Sequence, residues 1–108
     1  MTHKEYNGWT NYETWVVKLW MDNDEGSYRS FGQMAEESYR NATGEPEERL
    51  EDAASALAEE LKAAHEENYP LDSGNVFDDL LSASMSEVNW YEIAESMLED
   101  VEKEAEVA

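Results

Sequence analysis

A chain of 108 residues with 27 acidic and 7 basic side chains carries a formal charge of −20; 41% of it is hydrophobic and none of it is cysteine. That size and apolar content fit one small core, and the missing cysteines exclude a disulfide framework, a thiolate metal site and a thiol nucleophile. The charge makes nucleic acid and anionic membranes poor direct partners and a basic protein surface or a cation atmosphere a good one.

The first five residues lack the apolar segment of a secretory signal, and no apolar run approaches the ~18 residues of a membrane span. A soluble, cytoplasmic protein is expected. Residues 6–28, "YNGWTNYETWVVKLWMDNDEGSY", hold three tryptophans and three tyrosines. Thr10 and Glu13 stand at capping-box spacing, so a first helix should begin near Asn11. It carries Tyr12, Trp15, Val16, Leu19 and Trp20 and ends near Asp22 to Asp24. Being apolar almost all round, it is expected at the centre of the fold. Trp15, Leu19 and Trp20 would then be packing atoms, with Trp9 and Trp90 folded onto them. The other reading is a surface platform; stacking on single-stranded nucleic acid would need a basic groove that this sequence lacks.

A second helix after Asp24 presents Tyr28, Phe31, Ala35 and Tyr39. "NATGEP" breaks the chain, and Pro46 suits the first turn of a third helix, with Leu50, Ala54, Leu57, Leu61 and Ala64 on one stripe. Pro70 closes it and "LDSGN" turns. A short fourth helix carries Val76, Phe77, Leu80, Leu81 and Met85. Asn89 and Glu92 repeat the capping spacing and open a fifth, with Trp90, Ile93, Ala94, Met97, Leu98 and Val101. The expectation is an all-α, compact single domain of about five helices over residues 1–108, with 102–108 as a fraying tail; a small N-terminal hairpin stays open.

The acids are ordered. Residues 1–54 hold 12 acids and 5 bases (−7), residues 55–108 hold 15 and 2 (−13). Glu45, Glu48, Asp52, Ser55, Glu59, Lys62 and Glu66 follow steps of three and four, with Glu47, Glu51, Glu60 and Glu67 beside them. Glu92, Glu95, Glu99, Glu102 and Glu106 do the same on the fifth helix, widened by Asp100 and Glu104. Such carboxylates recur every 5–6 Å along a helix axis, against ~3.4 Å between phosphates on a DNA strand. Like charges at i, i+4 are mildly destabilising, and acids in a last turn oppose the macrodipole. Stability is thus given up for negative charge.

The chemistry of catalysis is thin. His3 and His65 lie beside no recognisable nucleophile, and no carboxylate pair stands out as acid and base. "DNDEG" (Asp22 to Gly26) departs from a calcium loop, because the glycine arrives one residue early and Gln33 occupies the twelfth position. No phosphate-cradling glycine loop exists. No enzyme activity, cofactor or metal is expected.

"GWTNYETWVVKLWMDNDEGSY" and "VFDDLLSASMSEVNWYEIAESMLED" resemble a group of small, acidic, largely uncharacterised proteins of phages and other mobile elements. That group is marked by an "NYETW…LW…ND" start and a "DLL…A…SEVNW.EIA" end, matched at Asn11–Trp15, Leu19–Trp20, Asn23–Asp24 and Asp79–Ala94. The resemblance implies a helical domain of mobile-element origin, in the cytoplasm of the host cell, and no catalytic residues. By analogy alone, the charge is similar to that of DNA-mimic anti-restriction and anti-CRISPR proteins.

The leading expectation is therefore a DNA-mimic inhibitor of a host defence nuclease. Glu45, Glu48, Asp52, Glu59 and Glu66, with Glu92, Glu95, Glu99, Glu102 and Glu106, would meet its basic channel, extended by Asp22, Asp24 and Glu25. The alternative is a salt-adapted structural or adaptor protein that meets a partner through its aromatic segment. A homodimer stays open, since the first helix serves either a core or a dimer seam.

Overall fold

The computed structural model describes residues 6–67 and 76–107, apart from the side chains of residues 46, 47 and 105–107. His3, the Pro70 closure and the "LDSGN" turn lie outside the described residues. Five helices follow in order: α1 (Tyr12–Asn23), α2 (Glu25–Asn41), α3 (Pro46–Glu67), α4 (Val76–Ser86) and α5 (Trp90–Val107). The expected all-α fold is what forms, with no strand among the described residues.

Local chemistry sets the boundaries. Asn7 and Gly8, both at positive φ (48° and 89°), make a two-residue turn in which Tyr6 and Trp9 exchange backbone hydrogen bonds of 2.9 and 2.8 Å. An Asn-Gly pair is the usual choice for that geometry. Asn11 caps α1, and Asp24 ends α1 and caps α2 by accepting from the Ser27 N–H at 2.9 Å. One residue thereby turns the chain between two helices. Gly44, at φ 106°, makes the bend before α3.

The centre of the fold is the pair α3 and α5. Ala53, Ala54, Leu57 and Leu61 on α3 meet Ile93, Ala94, Leu98 and Trp90 on α5, all buried. The small alanines let the helix backbones approach, and each buried leucine or isoleucine contributes roughly 1.5–3 kcal/mol. Helix α2 packs antiparallel to α3. At one end Arg49 donates to the Tyr39 carbonyl at 3.2 and 3.0 Å and lies 4.6 Å over its ring. At the other His65 stacks on Phe31 at 5.1 Å and touches Trp90 at 4.9 Å.

Helix α1 is peripheral, which corrects the reading of it as the central helix. Only Thr14 and Met21 are buried on it, while Trp20 is 70% exposed and Leu19 36%. Val17 and the half-buried Lys18 join Thr14 and Met21 on the inward side. Trp90 and Trp9 do pack into the core, the first buried and the second partly so. Helix α1 is held at its start by hydrogen bonds rather than by its widest apolar stripe.

Candidate interaction surfaces

The starts of α1 and α5 interlock. Asn11 Oδ1 accepts from the Thr14 N–H at 2.9 Å and from the Thr14 hydroxyl at 2.6 Å. Asn89 Oδ1 accepts from the Glu92 N–H at 3.0 Å in the same cap position of α5. Each third helical residue then reaches across: Thr14 Oγ1 accepts from the Asn89 N–H at 2.9 Å, and Glu92 Oε1 accepts from the Thr10 N–H at 3.0 Å. Asn11 Nδ2 adds a bond to the Glu87 carbonyl at 2.7 Å. In an ordinary capping box the third residue serves its own cap; here Thr14 serves both its own cap and the start of α5, and Glu92 reaches across to the Thr10 N–H. The "NYET" and "NWYE" segments are therefore a joint between helix starts.

That joint corrects one predicted contact residue. Glu92 shares its helical spacing with Glu95 and Glu99, yet it is only 7% exposed because its carboxylate turns toward the start of α1. The cap of α1 is likewise Asn11, paired with Thr14, where the spacing had suggested Thr10 with Glu13.

The α3 stripe stands as predicted from its periodicity. Glu48, Asp52, Glu59 and Glu66 are exposed on the side opposite Leu57 and Leu61. Glu45 sits one residue before the helix, exposed, its carbonyl accepting from the Arg49 N–H at 2.8 Å. On α5, Glu95 and Glu99 are exposed and Glu102 is half-buried. The side chain of Glu106 lies outside the described residues. None of Glu48, Asp52, Glu59, Glu66, Glu95, Glu99 and Glu102 makes an ion pair among the described residues.

Tyr91 feels carboxylates of both helices. Its phenol is held above its ordinary value of 10.0, first by burial and then by the negative charges of Glu95 on α5 and Glu51 on α3. Asp100 and Glu104 look elsewhere: with Asp22 and Glu36 they line a groove of about 600 Å³ beside Lys18, Arg29 and the buried Met21 and Ala35. They do not widen the Glu95–Glu99 stripe.

The suggested extension is engaged locally. Asp22 pairs with Lys18 at 2.6 Å and Glu25 with Arg29 at 2.6 Å, each at i, i+4. Asp24 is the α2 cap, and its hydrogen bonds from Ser27 lower its pKa below the usual 3.8. Exposed ion pairs of this kind contribute little, but these three carboxylates are not bare as the α3 row is.

The surface that the periodicity misplaced is the outer face of α1. Tyr12, Trp15, Val16, Leu19 and Trp20 fall on one side of the helix, away from Thr14 and Met21. Tyr12 is 51% exposed. Tyr6 packs on this face, with ring centroids 5.1 Å from Tyr12 and 4.9 Å from Trp15. No signal in the sequence marked this: Thr14 and Lys18, which lie inward, are polar and by periodicity read as the solvent side.

Among the described residues no three histidine or carboxylate groups converge to hold a metal ion, and no helix is long and apolar enough to cross a membrane. His65 donates Nδ1–H to the Leu61 carbonyl at 2.8 Å between its two aromatic neighbours, a packing role.

Over residues 2–106 the chain matches the model of a family of unknown function (DUF7249), and it belongs to that family. No curated protein and no solved structure matches it.

Proposed function

We propose that the chain is a non-enzymatic inhibitor that offers a DNA-like surface to the basic channel of a host defence nuclease, of the restriction or CRISPR kind. On this reading it acts in the cytoplasm of a cell carrying a phage or mobile element. The observation that carries it is the pair of outward acidic faces on α3 and α5, whose exposed carboxylates make no ion pair among the described residues.

Two magnitudes support it. From Glu45 to Glu66 the α3 row spans 21 residue steps, about 32 Å at the helical rise, close to the ~34–36 Å turn of B-DNA. A net charge of −20 along a 48 Å long axis is about one charge per 2.4 Å. Duplex DNA carries one per ~1.7 Å and a single strand one per ~3.4 Å. Binding driven by such a surface forms quickly and weakens as salt rises.

The test is competition: titrate the protein into a panel of DNA-binding defence nucleases carrying labelled duplex. The expected outcome is stoichiometric displacement from one of them, lost in high salt and lost on reversing Glu95, Glu99 and Glu102 to lysine with helicity unchanged. Inhibition that survives that triple reversal removes the α5 face from the reading. The second reading, a salt-adapted adaptor acting through its aromatic segment, draws on the exposed α1 face. No displacement from any nuclease, with stability that climbs into molar salt, would favour it.

A further inference from the structure

Among the described residues two helices expose broad apolar faces: Val76, Phe77 and Leu80 of α4 lie beside Asp78 and Asp79, whereas the outer face of α1 carries little charge. Tyr6, Tyr12, Trp15, Val16, Leu19 and Trp20 share it, and the only charged residues from 6 to 21 are Glu13 and Lys18. Lys18 turns away from that face, toward Asp22 and the groove. Large exposed aromatics on a strip with a single carboxylate, Glu13, within a surface otherwise crowded with them, mark a contact site.

We infer that this face joins two copies of the chain through an antiparallel α1–α1 pair about a two-fold axis near Val16 and Leu19. Charge selects the occupant. A basic partner would be drawn to the acidic rows of α3 and α5 before it met α1. Two chains of −20 can approach closely only where neither presents a carboxylate row. The antiparallel sense follows from the same argument. It sets Asp22 and Asp24 of the two copies at opposite ends, and brings each α1 N-terminus, the positive end of its dipole, beside the other copy's acidic C-terminal end. Area agrees: Trp20 and Tyr12 together offer on the order of 250 Å². The whole face offers roughly 500 Å² per copy, so two copies fully engaged reach the ~1,000 Å² threshold of a specific interface. A symmetric contact of this kind closes on itself and does not polymerise.

The pairing has its own signature, independent of any inhibition. Salt screens the repulsion between the two bodies but leaves the apolar contact intact, so association strengthens as salt rises, opposite to the decoy interaction.

Sedimentation equilibrium of the full chain, at several concentrations in low and molar salt, reads it directly. The expected result is a monomer–dimer equilibrium that shifts toward dimer with salt. Trp20→Glu should weaken it by at least about tenfold while circular dichroism stays unchanged. Val16→Cys, in a chain with no cysteine of its own, should cross-link copies under mild oxidation, whereas Glu59→Cys on the acidic face should not. A monomer at every concentration and salt overturns the inference, as does a Trp20→Glu variant that dimerises like the parent. Loss of inhibition by Trp20→Glu in a chain that is always monomeric would overturn it too, reassigning the face to a different protein. Failure of DNA competition alone leaves the hydrodynamic result untouched.

Discussion

The joint between α1 and α5 and the outer face of α3 are both built from polar and acidic side chains, and they behave as opposites. In the joint, Asn11, Thr14, Asn89 and Glu92 are tied to one another or to backbone N–H groups by bonds of 2.6–3.0 Å. On α3, Glu48, Asp52, Glu59 and Glu66 are exposed and make no ion pair among the described residues. A polar group taken from water needs its hydrogen bonds replaced; one left in water needs nothing and gives its field to whatever approaches. The first region therefore carries the architecture and the second is available for recognition. Residue type alone does not separate them, as Glu92 and Glu95 show from three residues apart.

The largest test of that contrast is Thr14→Val. Thr14 is fully buried, and valine keeps its shape while removing the acceptor of the Asn89 N–H. A loss of ~1–3 kcal/mol is expected in denaturant unfolding, because a buried donor is left without a partner; Thr14→Ser should recover most of it. A valine variant as stable as the parent would mean that the joint is ornamental. The same change on the acidic side should have the reverse sign. Asp52→Lys places a lysine four residues after Glu48 and removes a like charge, so stability should rise by ~0.2–0.5 kcal/mol, with the gain shrinking in high salt. If the variant is instead less stable, the row has a structural duty that its exposure conceals.

The smallest effect concerns Asp24, polar like the joint but exposed like α3. Its folded pKa lies below 3.8 because Ser27 hydrogen-bonds the ionised form. Its contribution is complete above that ordinary value and fades as pH falls through the lowered one. Hydrogen exchange at the first turn of α2 should therefore quicken only in strong acid, and Asp24→Asn should flatten that dependence. Fraying that sets in near neutral pH would contradict the assignment.

Much of this protein was open to reading from its residues. Steps of three and four located all five helices, Pro46 marked the start of α3, and Asn89 with Glu92 marked the start of α5. The core positions Leu57, Leu61, Ile93, Ala94 and Leu98 also followed from periodicity, since a helix in a small domain must bury its one continuous apolar stripe. The acidic row of α3 followed as its complement.

Periodicity could not rank the helices against one another. It took α1 for the centre because its apolar residues wrap the cylinder, whereas the centre belongs to α3 and α5, whose alanines let the backbones close. It also could not see that Glu92 turns inward, because the N–H groups that draw in the ends of the joint belong to residues more than 70 positions away in the chain. The sequence by itself determined which segments coil and which side of each is oily or charged, because those depend on neighbours three and four residues apart. Only the tertiary structure decided which oily face is covered and which charges are enclosed, because those depend on partners brought together by the packing of the whole chain.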